Sequence, residues 1–201
     1  MVSVFQLVGI LEPRTGLAGW VMQNREPARI AEATAGAGLT PGQYFAFAPG
    51  AEYGPAKCWP ASHYATLARS LHERFGLAVA LLGSGKEATL CEEIARAAPG
   101  ACLPLAGKTR LIDAMAIIAG ARGVVSNDSG LMHVAAAFGI PQVAAFGSTS
   151  PEHTPPLNPR ARVLWLKEEL QRVVQMSQEF LTPRSKAPSA AKPFSWPAIA
   201  V

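Results

Sequence analysis

Apolar and polar positions fall in blocks along this chain, and the lengths of the blocks predict its elements. Short apolar runs occupy residues 44–49 (YFAFAP), 77–83 (LAVALLG), 101–105, 123–126 and 142–147. Each has the length of a buried strand rather than of a helix. Between them lie stretches in which apolar residues return every three or four positions. In the stretch ending at Phe75 these are Tyr64, Leu67, Ala68, Leu71 and Phe75, one face of a helix that Gly76 stops and Ser62 is placed to cap. Further helices are predicted over 87–98, closed by Pro99-Gly100, over 111–119, and over 131–138, closed by Gly139-Ile140-Pro141. Pro27–Ala37 predicts another, ending at Gly38, and residues 161–166 a sixth strand. Strands alternating with helices of ~10–14 residues make a right-handed βαβ series, so the predicted fold class is α/β, a parallel sheet with flanking helices.

Ligands on such sheets bind in crevices outside the carboxyl ends of the strands. Polar loops fall there at 50–58, 83–87, 127–130 and 147–154. The most informative follows the run Gly123-Val124-Val125 and reads Asn127-Asp128-Ser129-Gly130, leading into the helix from Leu131. Strand, polar turn and helix in that order present backbone N–H groups and the positive end of a helix dipole at a strand end, which suits a phosphate. Ser129 or Asp128 is placed as N-cap, and His133 lies within reach of the same anion. The competing reading is a capped, buried helix with a core histidine. Lys57 can meet a phosphate as a point charge or stand as an ordinary surface lysine. Glu87 can accept hydrogen bonds from ribose hydroxyls or simply favour a helix N-terminus.

Other chemistries fit less well. Gly83-Ser84-Gly85-Lys86 lacks both the full dinucleotide fingerprint and the P-loop pattern. A Ser129–His133 hydrolase would need glycine two residues before the serine, where Asn127 stands. The chain has 201 residues, is 49% hydrophobic and 16% charged, and carries a net charge of +4 from scattered lysines and arginines. That admits an anionic ligand without arguing for nucleic acid. Three cysteines without CxxC spacing predict reduced thiols and no zinc site. No apolar run approaches the ~18 residues of a membrane span, and the first residues lack the basic start of a signal peptide.

Longer strings now carry a resemblance. Residues 49–60 (PGAEYGPAKCWP), residues 127–137 (NDSGLMHVAAA), and residues 146–151 (FGSTSP) followed by Thr154-Pro155-Pro156-Leu157 resemble, in order and spacing, the hallmarks of the bacterial lipopolysaccharide heptosyltransferases, most of all their type II members. The likeness spans roughly residues 44–166. It implies the C-terminal, donor-binding half of a GT-B glycosyltransferase, a Rossmann-like domain over 44–167 that transfers heptose with inversion from ADP-L-glycero-D-manno-heptose to the lipopolysaccharide inner core. It implies no metal or other cofactor, a cytoplasmic location with peripheral contact at the inner face of the inner membrane, and no nucleic-acid partner. Carried over by position, Lys57 and the N–H groups of Ser129, Gly130 and Leu131 would hold the diphosphate. Asp128 and His133 would shape the same pocket, Glu87 would lie near the nucleoside, and Thr109 and Leu111 near the adenine.

The departures from the family set further expectations. Residue 58, usually basic in the family, is Cys58. The family's catalytic base is an aspartate of an N-terminal domain, and no residue here matches it, so no catalytic residue is assigned and the chain alone is expected to be inactive. Residues 1–43 are expected to be a remnant or linker of that domain, and 168–201, rich in Pro, Ser and Ala, a divergent and partly disordered tail. The alternative to a transferase half is a nucleotide-binding remnant without turnover.

Overall fold

The computed structural model describes residues 26–51, 58–147 and 149–165. Its centre is a parallel six-stranded sheet: β1 (Tyr44–Ala48), β2 (Ala78–Leu81), β3 (Cys102–Pro104), β4 (Gly123–Asn127), β5 (Gln142–Phe146) and β6 (Ala161–Trp165). The order is β3-β2-β1-β4-β5-β6, and every pairing is parallel. This is the doubly wound order, in which the chain leaves β1 toward one edge and returns at β4 to build toward the other. β1 and β4 are hydrogen-bonded neighbours, from Phe45 opposite Gly123 to Ala48 opposite Ser126. The crevice of the switch point therefore opens at Ala48 and Asn127.

The four inner strands, β2, β1, β4 and β5, are buried on both faces, which explains their near-continuous apolar sequences. All five residues of β1 are buried. Phe45 and Phe47 join one core cluster, with Leu67 and Leu71 of α2 (Ala61–Phe75) and Cys91 and Ile94 of α3 (Ala88–Ala97). Tyr44 and Ala46 join the other, with Ile117 and Ile118 of α4 (Leu111–Gly120) and Val134 and Ala135 of α5 (Gly130–Ala137). A helix at Pro27–Gly36, α1, packs on α4. Gly120 permits the approach: a Cβ there would stand 2.7 Å from Ile30 Cγ2 and 2.8 Å from Tyr44 Oη. The Tyr44 hydroxyl donates to the Ile117 carbonyl.

Two helix starts differ from the sequence expectation. Ser62 caps nothing: Pro60 holds the N-cap position, and its carbonyl accepts from the N–H groups of His63 and Tyr64, so the helix begins two residues earlier. Ahead of α3, a 3-10 turn at Gly85–Glu87 is capped by Ser84, because Ser84 and Glu87 form a reciprocal capping box. Asn127, read as loop, is the last residue of β4 and is fully buried. The expectations for residues 1–25 and 168–201 lie outside the described residues, as do Glu52 and Lys57.

Candidate functional site

Asn127 ties the crevice together. Its Nδ2 donates to the carbonyl of Pro49, at the end of β1, while its Oδ1 accepts from the Trp59 N–H at 3.0 Å and from the Tyr64 hydroxyl at 3.0 Å. One buried amide thus joins β4 to both flanks of the segment 50–58 and to α2. The Trp59 ring packs edge-on against Tyr64, with centroids 4.9 Å apart, and Phe47 lies tilted against Tyr64.

The next residue opens the site. Asp128 turns toward β5 rather than toward the helix it precedes: Thr149 Oγ1 donates to Oδ2 at 2.9 Å and Thr154 Oγ1 to Oδ1 at 3.3 Å. Ser129 takes the N-cap position of α5 in extended conformation, yet its side chain makes no cap hydrogen bond and Oγ is buried without a partner. The expectation of a side-chain cap is therefore corrected, since the carboxylate is engaged by two threonines and the hydroxyl is unengaged. The first N–H groups of a helix have no intrahelical acceptors, so those of Gly130 and Leu131 stand at an uncapped, positively polarised terminus. Gly130 is exposed and leaves open space where a side chain would project. His133 is half-buried, and burial lowers its pKa against the opposing pull of the Asp128 carboxylate. The lowered pKa favours the neutral imidazole, which donates from one ring nitrogen and accepts at the other.

Along the same edge, Glu87 fits between two glycines. A Cβ on Gly83 would stand 2.8 Å from Glu87 Cβ, and one on Gly50 3.0 Å from Glu87 Cδ. Glu87 Oε2 accepts from the Ser84 N–H at 2.7 Å and from Ser84 Oγ at 2.6 Å, so the capping box holds the carboxylate at the ends of β1 and β2. Gly107, in left-handed conformation, continues the chain of contacts, since its N–H donates to the Gly83 carbonyl at 3.1 Å.

Thr109 and Leu111 lie at the far end of this edge, after β3. The distance from β4 to β3 is three strand spacings, ~14 Å. Leu111 is 68% exposed, unusual for a large apolar side chain, and Thr109 Oγ1 is buried without a partner. Thr109 also lines a groove against α1, with Arg29, Glu32 and Lys108.

The structure thus brings Asp128, Ser129, Gly130, Leu131 and His133 to the switch point, places Glu87 beside it, and sets Thr109 and Leu111 further along; Lys57 lies outside the described residues. Asn127 had no place among the expected site residues. A polar amide closing an otherwise apolar strand was the available signal, because a buried amide requires partners.

Residues 15–182 match glycosyltransferase family 9 (heptosyltransferase), a span that extends past the motifs on both sides. Lipooligosaccharide heptosyltransferase 2 of Haemophilus influenzae is 52% identical over 126 residues, which cover 61% of this chain and 36% of the relative. Lipopolysaccharide heptosyltransferase 2 of Escherichia coli K12 is 49% identical over 124 residues, covering 60% and 35%. The chain thus spans about a third of the length of these curated relatives. Among solved structures, E. coli ADP-heptose lps heptosyltransferase II superposes with a TM-score of 0.71 at 37% identity, over 78% of this chain and 52% of that one. E. coli heptosyltransferase WaaC with ADP gives 0.60 at 26% identity, over 71% and 45%. A match of that extent to one family, on the sheet order and the edge described above, makes this chain a member of glycosyltransferase family 9, the heptosyltransferases.

Proposed function

We propose that the domain over residues 44–167 binds the ADP-heptose donor of a lipopolysaccharide heptosyltransferase, with its diphosphate at the α5 N-terminus. The observation that carries this reading is the open end of α5 at the switch point, where Ser129 occupies the cap position without capping. There the N–H groups of Ser129, Gly130 and Leu131 meet the diphosphate, Asp128 and His133 shape its pocket, and Lys57 adds a positive charge. Glu87 faces the ribose with the oxygen that Ser84 leaves unused. Thr109 and the exposed Leu111 serve the adenine, so that the ligand extends along the carboxyl edge. A relative of the same fold was solved with ADP, which supports the nucleotide assignment.

In the proposed reaction ADP is the leaving group. The anomeric carbon–oxygen bond breaks as the acceptor hydroxyl attacks the opposite face, and negative charge collects on the departing β-phosphate. Fixed N–H dipoles and a lysine stabilise that charge most where it develops, which lowers the barrier rather than only tightening binding. The heptose passes to the lipopolysaccharide inner core at the cytoplasmic face of the inner membrane, and the base that takes the acceptor proton is not among the residues assigned here.

The test is calorimetric titration of the 201-residue chain with ADP. Lys57→Ala is expected to weaken binding by roughly 10- to 150-fold, the equivalent of a charge-assisted hydrogen bond worth ~1.5–3 kcal/mol. Equal affinities would remove Lys57 from the site, and no ADP binding by the parent chain would overturn the assignment of the edge.

A further inference from the structure

We infer that Thr149 and Thr154 are positioning residues of the donor site: they hold the Asp128 carboxylate off the first N–H groups of α5 and so keep that end open to the diphosphate. The inference rests on the donor-site reading above and adds to it two residues that the reading leaves unused. Its basis is the way one carboxylate is shared. Thr149 Oγ1 donates to Oδ2 at 2.9 Å and Thr154 Oγ1 to Oδ1 at 3.3 Å, so each oxygen has its own hydroxyl. The Asp128 N–H donates to the Ala145 carbonyl at 3.1 Å, which seats the residue against β5.

The sequence between the threonines brings them together. Ser150-Pro151-Glu152-His153 closes as a turn, with the His153 N–H donating to the Ser150 carbonyl at 3.3 Å and the Glu152 N–H to Ser150 Oγ at 3.3 Å. Serine at the first position and proline at the second favour such a turn. Thr149 and Thr154 stand immediately outside it and reach the same side chain. Pro155 and Pro156 restrict the backbone beyond.

What the pair prevents follows from the local chemistry of aspartate. An Asp side chain readily accepts from the backbone N–H two residues further on. Here that donor is the N–H of Gly130, the first residue of α5, and the positive end of the helix dipole adds to the attraction. Such a turn puts a carboxylate on a group that the donor-site reading gives to the diphosphate, which carries charge of the same sign. Even as held, the carboxylate acts on this end of the helix, since it pulls the His133 pKa upward against burial. Two hydroxyl bonds outweigh the single N–H bond of the alternative, because the ionised acceptor strengthens both kinds alike. Without the hydroxyls the carboxylate turns back onto Gly130 and competes with the phosphate.

The experiment uses the 201-residue chain with ADP as the probe, calorimetry for affinity and the amide resonance of Gly130 as a local reporter. Thr149→Val and Thr154→Val together are expected to weaken ADP binding roughly 10-fold. Without ADP they are expected to move the Gly130 amide proton downfield, as it gains a carboxylate acceptor. In an Asp128→Ala background the same two substitutions are expected to change ADP affinity by less than about 2-fold and to leave the Gly130 amide in place. Equal losses in both backgrounds overturn the inference, because the threonines then act through the loop and not through the carboxylate. So does the parent's ADP affinity in the double variant, or an unmoved Gly130 amide. If thermal melts show that the double variant does not fold, Thr154→Val alone removes the longer bond. It is expected to weaken ADP roughly 3-fold, a loss that Asp128→Ala abolishes; an unchanged affinity overturns the inference. The parent chain tests the donor-site reading separately: if ADP leaves the Gly130 and Leu131 amides unmoved there, that reading falls and this inference with it.

Discussion

At His133 the balance of two opposing effects gives a pH dependence of known sign. Burial disfavours the imidazolium and lowers its pKa, and the Asp128 carboxylate pulls the other way without cancelling the shift. The unfolded chain, with a histidine pKa near 6.5, therefore takes up this proton before the folded chain does. Stability from this group is complete above pH ~6.5 and is lost as the pH falls through the folded pKa. Thermal melts should show a Tm that declines between pH 7 and pH 5, with a smaller decline in His133→Gln; identical slopes would remove His133 as a contributor. The partly exposed Asp113, whose pKa is lowered chiefly by its hydrogen bond to Arg110, titrates below this window. Cys91, fully buried on α3, has its thiol pushed up to about 12 by burial. It should resist alkylation at pH 7.5 until the chain is unfolded, and labelling at the rate of a free thiol would contradict the packing of α3 on the sheet.

Among the elements, the contact of α1 with α4 depends most on a single position. Gly120 is the last residue of α4, where alanine would favour the helix by at most ~1 kcal/mol. A methyl group there overlaps Ile30 Cγ2 and the Tyr44 hydroxyl, and overpacking of this kind costs ~1–3 kcal/mol. The overlap outweighs the propensity, so Gly120→Ala should lower the denaturation midpoint; a gain in stability would show that α1 does not seat on this face. We propose from the same contact that residues 27–43 are structurally part of the domain rather than a bare linker, so that removing residues 1–43 destabilises the sheet. The groups that α1 covers are apolar or already hydrogen-bonded within the core, and uncovering them returns apolar surface to water.

For the whole molecule, the proposed chemistry sets an asymmetry between binding and turnover. A single parallel sheet supplies one wall of a crevice, and the assigned residues all serve the donor. Transfer also requires a base for the acceptor proton, typically worth ~10²–10⁴-fold, and an oriented acceptor, which contributes more. The 201-residue chain alone should bind ADP-heptose weakly and transfer no heptose in an ADP-release assay with a lipopolysaccharide acceptor. Turnover above a Lys57→Ala, His133→Ala control would mean that a base within this chain had been overlooked. Among the described residues no helix is long and apolar enough to cross a membrane.

Periodicity alone determined the strands, the helices and their alternation, because a strand buried on both faces must be apolar throughout and a flanking helix must be apolar along one stripe. The parallel sheet and the polar loops at its carboxyl edge follow from that alternation and from the handedness of βαβ units. Motif strings placed Asp128, Ser129, Gly130 and His133 together because they are neighbours in the chain. Tertiary structure alone decided where their polar atoms went. Asp128 faces Thr149 and Thr154 rather than the helix, and the Glu87 carboxylate is held by Ser84 between Gly50 and Gly83. Asn127 meets Pro49 and Trp59, residues 78 and 68 positions away. Hydrophobic patterning is a property of each segment and survives in one dimension. A hydrogen bond between strand ends depends on which strands become neighbours, and only the folding of β4 against β1 fixes that.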